Sequence, residues 1–103
     1  MVNSLNKAVA IIVRVARPEK IILFGSRSKG NSTPHSDYDL IVLKKGLKKQ
    51  RALTQKIYLS FSNIGAPVDV IVADFNKYQR LKKDPYLIYM EADKNGKVIY
   101  EKN

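Results

Sequence analysis

Apolar positions recur at helical spacing in two stretches of the chain and gather in three short runs, the last broken by one aspartate, and the two patterns predict different elements. Leu5, Val9, Ile12 and Ala16, with Ala8 and Val15 beside them, form one stripe of a helix that Pro18 closes. Leu53, Ile57, Phe61 and Ile64 repeat at intervals of four, four and three, which predicts a second long helix ended by Gly65-Ala66-Pro67. Ile21-Ile22-Leu23-Phe24, Leu40-Ile41-Val42-Leu43 and Val68-Asp69-Val70-Ile71-Val72 are short, bounded by turn residues and rich in β-branched side chains, so they read as buried strands. A short helix from Ser26 to Lys29 and a polar loop to Ser36 separate the first two strands. Asp84-Pro85 offers an N-cap and a proline at the first helical position for a helix to about Asp93, and Asn95-Gly96 turns into a last strand, Lys97 to Tyr100. This order predicts an α/β (α+β) fold, a small mixed β-sheet flanked by helices, as a single domain over residues 1–103.

Chemistry concentrates where the first two strands end. The first strand delivers Gly25-Ser26, and the second carries Asp37-Tyr38-Asp39, with ten residues between the two. Residues two apart on a strand project to the same face with Cα atoms roughly 6.5–7 Å apart, so Asp37 and Asp39 point together. Two carboxylates at that separation repel by roughly 2 kcal/mol unless they are solvated, protonated or bridged by a cation. Mg²⁺ suits the pair, because it takes hard oxygen ligands and commonly combines one or two carboxylates with substrate phosphates. Asp69 interrupts a third apolar strand, and three carboxylates on neighbouring strands make a ligand set for two metal ions in an in-line displacement. Gly25 allows backbone to approach a phosphate, Ser26 adds a hydroxyl and an N–H, and Arg27 and Lys29 add positive charge.

The turn, the Asp37/Asp39 pair and Asp69 together resemble the signature of the DNA polymerase beta-like nucleotidyltransferase superfamily. Gly25-Ser26-Arg27-Ser28-Lys29-Gly30 and Ser36-Asp37-Tyr38-Asp39-Leu40 are similar to the motifs of its minimal branch, the MNT domain proteins. The resemblance implies a nucleotidyltransferase fold, a triphosphate held at Gly25 and Ser26 with Arg27 and Lys29 nearby, and magnesium on Asp37, Asp39 and Asp69. It implies ATP as substrate and, in MNT/HEPN toxin–antitoxin pairs, a partner HEPN toxin whose tyrosine receives AMP from the antitoxin. Two alternatives stand beside it: an antitoxin that neutralises its partner by docking alone, and a transferase with a small-molecule acceptor.

Composition narrows the context. There is no cysteine, hence no disulfide framework and no thiolate metal site, and no apolar stretch approaches the length of about 18 residues needed to span a membrane. A cytoplasmic protein is expected. Nineteen Lys and Arg against nine Asp and Glu give a net charge of +10, a field that attracts nucleotides, nucleic acid or an acidic protein. The cations cluster at Lys44-Lys45-Lys48-Lys49-Arg51 and at Arg80-Lys82-Lys83 without the interleaved aromatic residues of a single-strand binder. The one histidine, His35, lies in the polar loop and is given no role, since metal-assisted transfer needs no histidine base. Tyr86, Tyr89 and Met90 are expected to pack in the core.

Overall fold

The structure, a computed structural model, describes residues 4–25, 37–84 and 88–102. Its elements in chain order are α1 (Ser4–Ala16), β1 (Lys20–Phe24), β2 (Tyr38–Lys44), α2 (Gln50–Ser60), β3 (Val68–Asp74), α3 (Phe75–Leu81), α4 (Ile88–Asn95) and β4 (Lys97–Glu101). The strands form one mixed sheet in the order β3-β2-β1-β4. β1 is antiparallel to both β2 and β4, whereas β2 and β3 run parallel, with α2 making the crossover between them.

Both faces of the sheet are covered, which is why β1 and β2 read as unbroken apolar runs rather than alternating ones. Ile21 and Leu23 of β1, Leu40 and Val42 of β2, and Val70 and Val72 of β3 pack with Ile12 and Ala16 of α1 and Ile57 of α2. The intervening residues, Ile22, Phe24, Ile41, Leu43 and Ala73, pack on the other face with Tyr78 of α3 and Ala92 of α4. Ile57 is the one fully buried side chain of α2. Its truncation to alanine carries the usual cost of roughly 2–5 kcal/mol for such a core site.

Two of the expected boundaries change. The predicted second helix stops at Ser60 rather than continuing through Ile64: Phe61 is already extended (φ −70°, ψ 130°), and Asn63 takes the left-handed conformation at φ 54°. Phe61 and Ile64 still pack on the core, so their periodic spacing reports burial beyond the helix as well as within it. The helix α3 is absent from the sequence reading. It starts on Asp74, whose side chain accepts a hydrogen bond from the Lys77 N–H as an N-cap. Tyr89 does pack in the core, edge-on to Tyr78 at 5.6 Å between ring centres. The late helix ends at Asn95, two residues beyond the expected Asp93. Its proposed start at Pro85, and with it Tyr86, lies outside the described residues, as do the short helix of Ser26 to Lys29 and His35.

The outer edge of β3 is closed by side chains of α2. Residues 70 and 72 turn their backbone polar groups away from β2, and Tyr58 and Gln50 meet them. The Val70 N–H donates to the Tyr58 hydroxyl at 2.7 Å, and Gln50 Nε2 donates to the Val72 carbonyl at 2.6 Å. An edge that would otherwise recruit a further strand is thereby satisfied within the chain.

Candidate active site

The pleat determines where the acidic residues go. On β2 and β3 the odd-numbered positions 41, 43, 71 and 73 face α3 and α4, so Asp39 and Asp69 belong to the same face. The parallel register sets Asp39 directly opposite Asp69, with adjacent strands about 4.8 Å apart. Asp37 stands one residue before β2, two before Asp39, and is exposed. Helix α3 packs toward the opposite ends of these strands, and among the described residues Asp69 is exposed and Asp39 half-buried.

The other two carboxylates act on Asp39 by repulsion. The Asp39 carboxyl titrates above the usual carboxylate range, chiefly because burial penalises its charge and further because the carboxylates of Asp69 and Asp37 repel it. The carboxylates nevertheless do not close on a common point, for among the described residues no group of three acidic or histidine side chains is gathered tightly enough to hold a metal ion. The donor chemistry fits a hard divalent cation. It is all carboxylate oxygen, and the charge that a cation would neutralise is already disfavoured at Asp39.

Gly25 adjoins this cluster. It follows β1, whose last residue, Phe24, pairs with Asp39, and it adopts φ +78°, a conformation that side chains other than glycine rarely take. A Cβ at this position would stand 2.5 Å from Asp39 Oδ2. Glycine here therefore serves two ends: it makes the turn, and it leaves room for the carboxylate. Ser26, Arg27 and Lys29, the other residues of the expected phosphate grip, lie outside the described residues.

Three features escaped the sequence reading. Gly25 was expected to make room for a phosphate, and its contact with Asp39 is visible only through the antiparallel register of β1 and β2. Tyr58 has no neighbouring signal that marks it as the cap of the β3 edge. Asp74 had one: an aspartate followed by Phe75-Asn76-Lys77-Tyr78 is a plausible N-cap, and its second oxygen also accepts the Leu47 N–H at 3.3 Å.

The profile of the polymerase beta, nucleotidyltransferase family matches residues 6–103, and the chain belongs to that family. Among solved structures, a protein of Sulfolobus solfataricus assigned as a nucleotidyltransferase aligns with a TM-score of 0.60 at 20% identity, over 96% of this chain and 87% of that one. A chain from a toxin–antitoxin structure with AMP-PNP aligns at 0.55 and 24% identity, over 99% and 76%. A double mutant of the toxin–antitoxin MntA–HpeT aligns at 0.55 and 21% identity, again over 99% and 76%. No curated protein matches the sequence significantly. The likenesses establish the fold, a nucleotidyltransferase domain. Among the described residues no helix is long and apolar enough to cross a membrane.

Proposed function

We propose that the chain transfers a nucleoside monophosphate, AMP from ATP, to a tyrosine hydroxyl of a HEPN-type toxin and so acts as its antitoxin. The observation that carries this reading is the in-register Asp39/Asp69 pair on one face of the sheet, with Gly25 close against Asp39. Two of the solved relatives support the biological setting, one a toxin–antitoxin with AMP-PNP and the other a toxin–antitoxin variant with two Asp→Glu changes two residues apart. A spacing of two is also that of Asp37 and Asp39.

In this reading Asp37, Asp39 and Asp69 would hold magnesium, which supplies neutralisation of phosphate charge and activation of the acceptor hydroxyl. Gly25 and Ser26 bind the triphosphate through backbone N–H groups and a hydroxyl, with Arg27 and Lys29 balancing its charge. The acceptor oxygen forms a bond to the α-phosphorus, the bond from that phosphorus to the bridging oxygen breaks, and pyrophosphate leaves. The exposed Asp69 takes the proton released by the acceptor. Most of the rate comes from holding acceptor and phosphate in line.

Incubation with radiolabelled ATP and magnesium, with and without the protein encoded beside it, tests the proposal. Label on a tyrosine of the partner is the expected result. An unmodified partner that is still neutralised by wild type and by Asp39→Asn alike would replace transfer with docking.

A further inference from the structure

At the far end of β2 from the aspartates, Leu47, Lys48, Lys49, Ala52, Leu53 and Lys56 line an open groove of about 430 Å³, with Lys44 and Gly46 at its margin. Asp39 and Lys44 are five residues apart, so the groove opens roughly 16 Å along the strand from the acidic face. Its floor and rim differ in kind. Leu47 and Leu53 are the outer layer of the core on the α1 and α2 face. Ala52, Leu53 and Lys56 lie at i, i+1 and i+4 on one side of α2, Lys49 stands at its N-cap, and Lys48 extends the rim into the preceding loop.

The lysines around this groove are not equivalent. Lys44 Nζ donates to the Ala16 carbonyl at 2.8 Å, where it caps the end of α1, and Lys45, just outside the groove, lies 5.4 Å above the Phe75 ring. Lys48, Lys49 and Lys56 have no ion-pair partner among the described residues and are exposed. The Asp74 carboxylate, which accepts from the Leu47 N–H at the groove, is engaged by the Lys77 N–H as well. No acidic residue occurs anywhere from Leu40 to Val68, a stretch holding six Lys and Arg. Fold stability does not account for that bias, since cations crowded before and within the first turn of α2 oppose its macrodipole.

We infer that this groove docks an acidic amphipathic segment of a partner protein, which lays apolar side chains on Leu47 and Leu53 and sets carboxylates against Lys48, Lys49 and Lys56. The mixture of floor and rim selects this occupant over a nucleic acid. A phosphate backbone would use the lysines but leave the leucines uncovered, and the groove presents no aromatic ring on which a base could stack. The inference does not rest on the transfer reaction, and its test contains no nucleotide triphosphate.

The probe is a fluorescent helical peptide with leucines at i, i+3 and i+7 on one face and glutamates on the rest, titrated with the full chain and followed by anisotropy. Salt-sensitive binding is expected, weakened at least about tenfold when Lys48→Gln, Lys49→Gln and Lys56→Gln are combined, with the thermal midpoint held. On the wild-type protein, amide shifts induced by the peptide should centre on residues 46–56. Equal affinity in the triple variant, shifts centred elsewhere, absence of peptide binding, or preference for an oligothymidylate strand of equal charge would each overturn the assignment.

Discussion

The hydroxyl of Tyr58 lies 2.7 Å from the backbone nitrogen of Val70, the residue after Asp69, and accepts its hydrogen bond. A helix side chain thus occupies the place of a neighbouring strand at the point where the third acidic residue emerges. Tyr58→Phe keeps the ring and its edge contact with Phe61 at 5.9 Å and removes the hydroxyl alone. Loss of a partner for a half-buried N–H should destabilise the fold by roughly 1–2 kcal/mol in chemical denaturation. A change within about 0.5 kcal/mol would mean that water replaces the hydroxyl without penalty.

Asp39→Asn removes a charge that burial and two neighbouring carboxylates disfavour. A carboxyl whose folded pKa is raised gives stability that is fully present below the unfolded value and lost as pH rises through the folded one. The variant is spared that loss, so its advantage over wild type should be nil below about pH 4 and grow to a plateau toward neutrality. Thermal unfolding across that range measures it. Millimolar magnesium should raise the wild-type midpoint and not the variant's, and transfer should be abolished. Normal transfer by the variant would remove Asp39 from the site.

Gly25→Ala forces a Cβ into the left-handed region and against Asp39 Oδ2. The backbone cost alone is roughly 1–2 kcal/mol. Displacement of the carboxylate should also impair transfer. Adding Asp39→Ala relieves the clash, so a double-mutant cycle on stability should show non-additive coupling. Additive effects would place the strain entirely in the turn.

Asp74 titrates in the opposite direction from Asp39. Its carboxyl is held below the usual range, chiefly by the Lys77 N–H and also by the Leu47 N–H. The stability it contributes is therefore present above about pH 4 and lost as pH falls through its depressed folded value. Asp74→Asn should be less stable than wild type at neutral pH, and the gap should close in acid. A gap that is independent of pH would show that the cap works through shape rather than charge.

Much of this arrangement was legible in the residues. Unbroken apolar runs at 21–24 and 40–43 announced strands buried on both faces, and the spacing of Asp37, Asp39 and Asp69 placed acidic residues at their ends. The end of α2 was not legible, because Phe61 and Ile64 continue the helical rhythm and stay sheltered beyond the point where the helix stops. Helix α3 was missed for a related reason: with seven residues it offers too few turns for periodicity, and only its N-cap identifies it. The pairing of Gly25 with Asp39 depends on strand register, a long-range property that no local pattern encodes.

The position of β4 has a consequence for biosynthesis. This strand pairs with β1, Lys20 standing opposite Glu101, so β1 leaves the ribosome well before its partner. All other described elements precede it. Until residues 97–101 arrive, one side of β1 presents free N–H and C=O groups while β1, β2 and β3 can already associate. The exposure to wrong pairing thus belongs to the nascent chain, and delivery of its last described strand ends it.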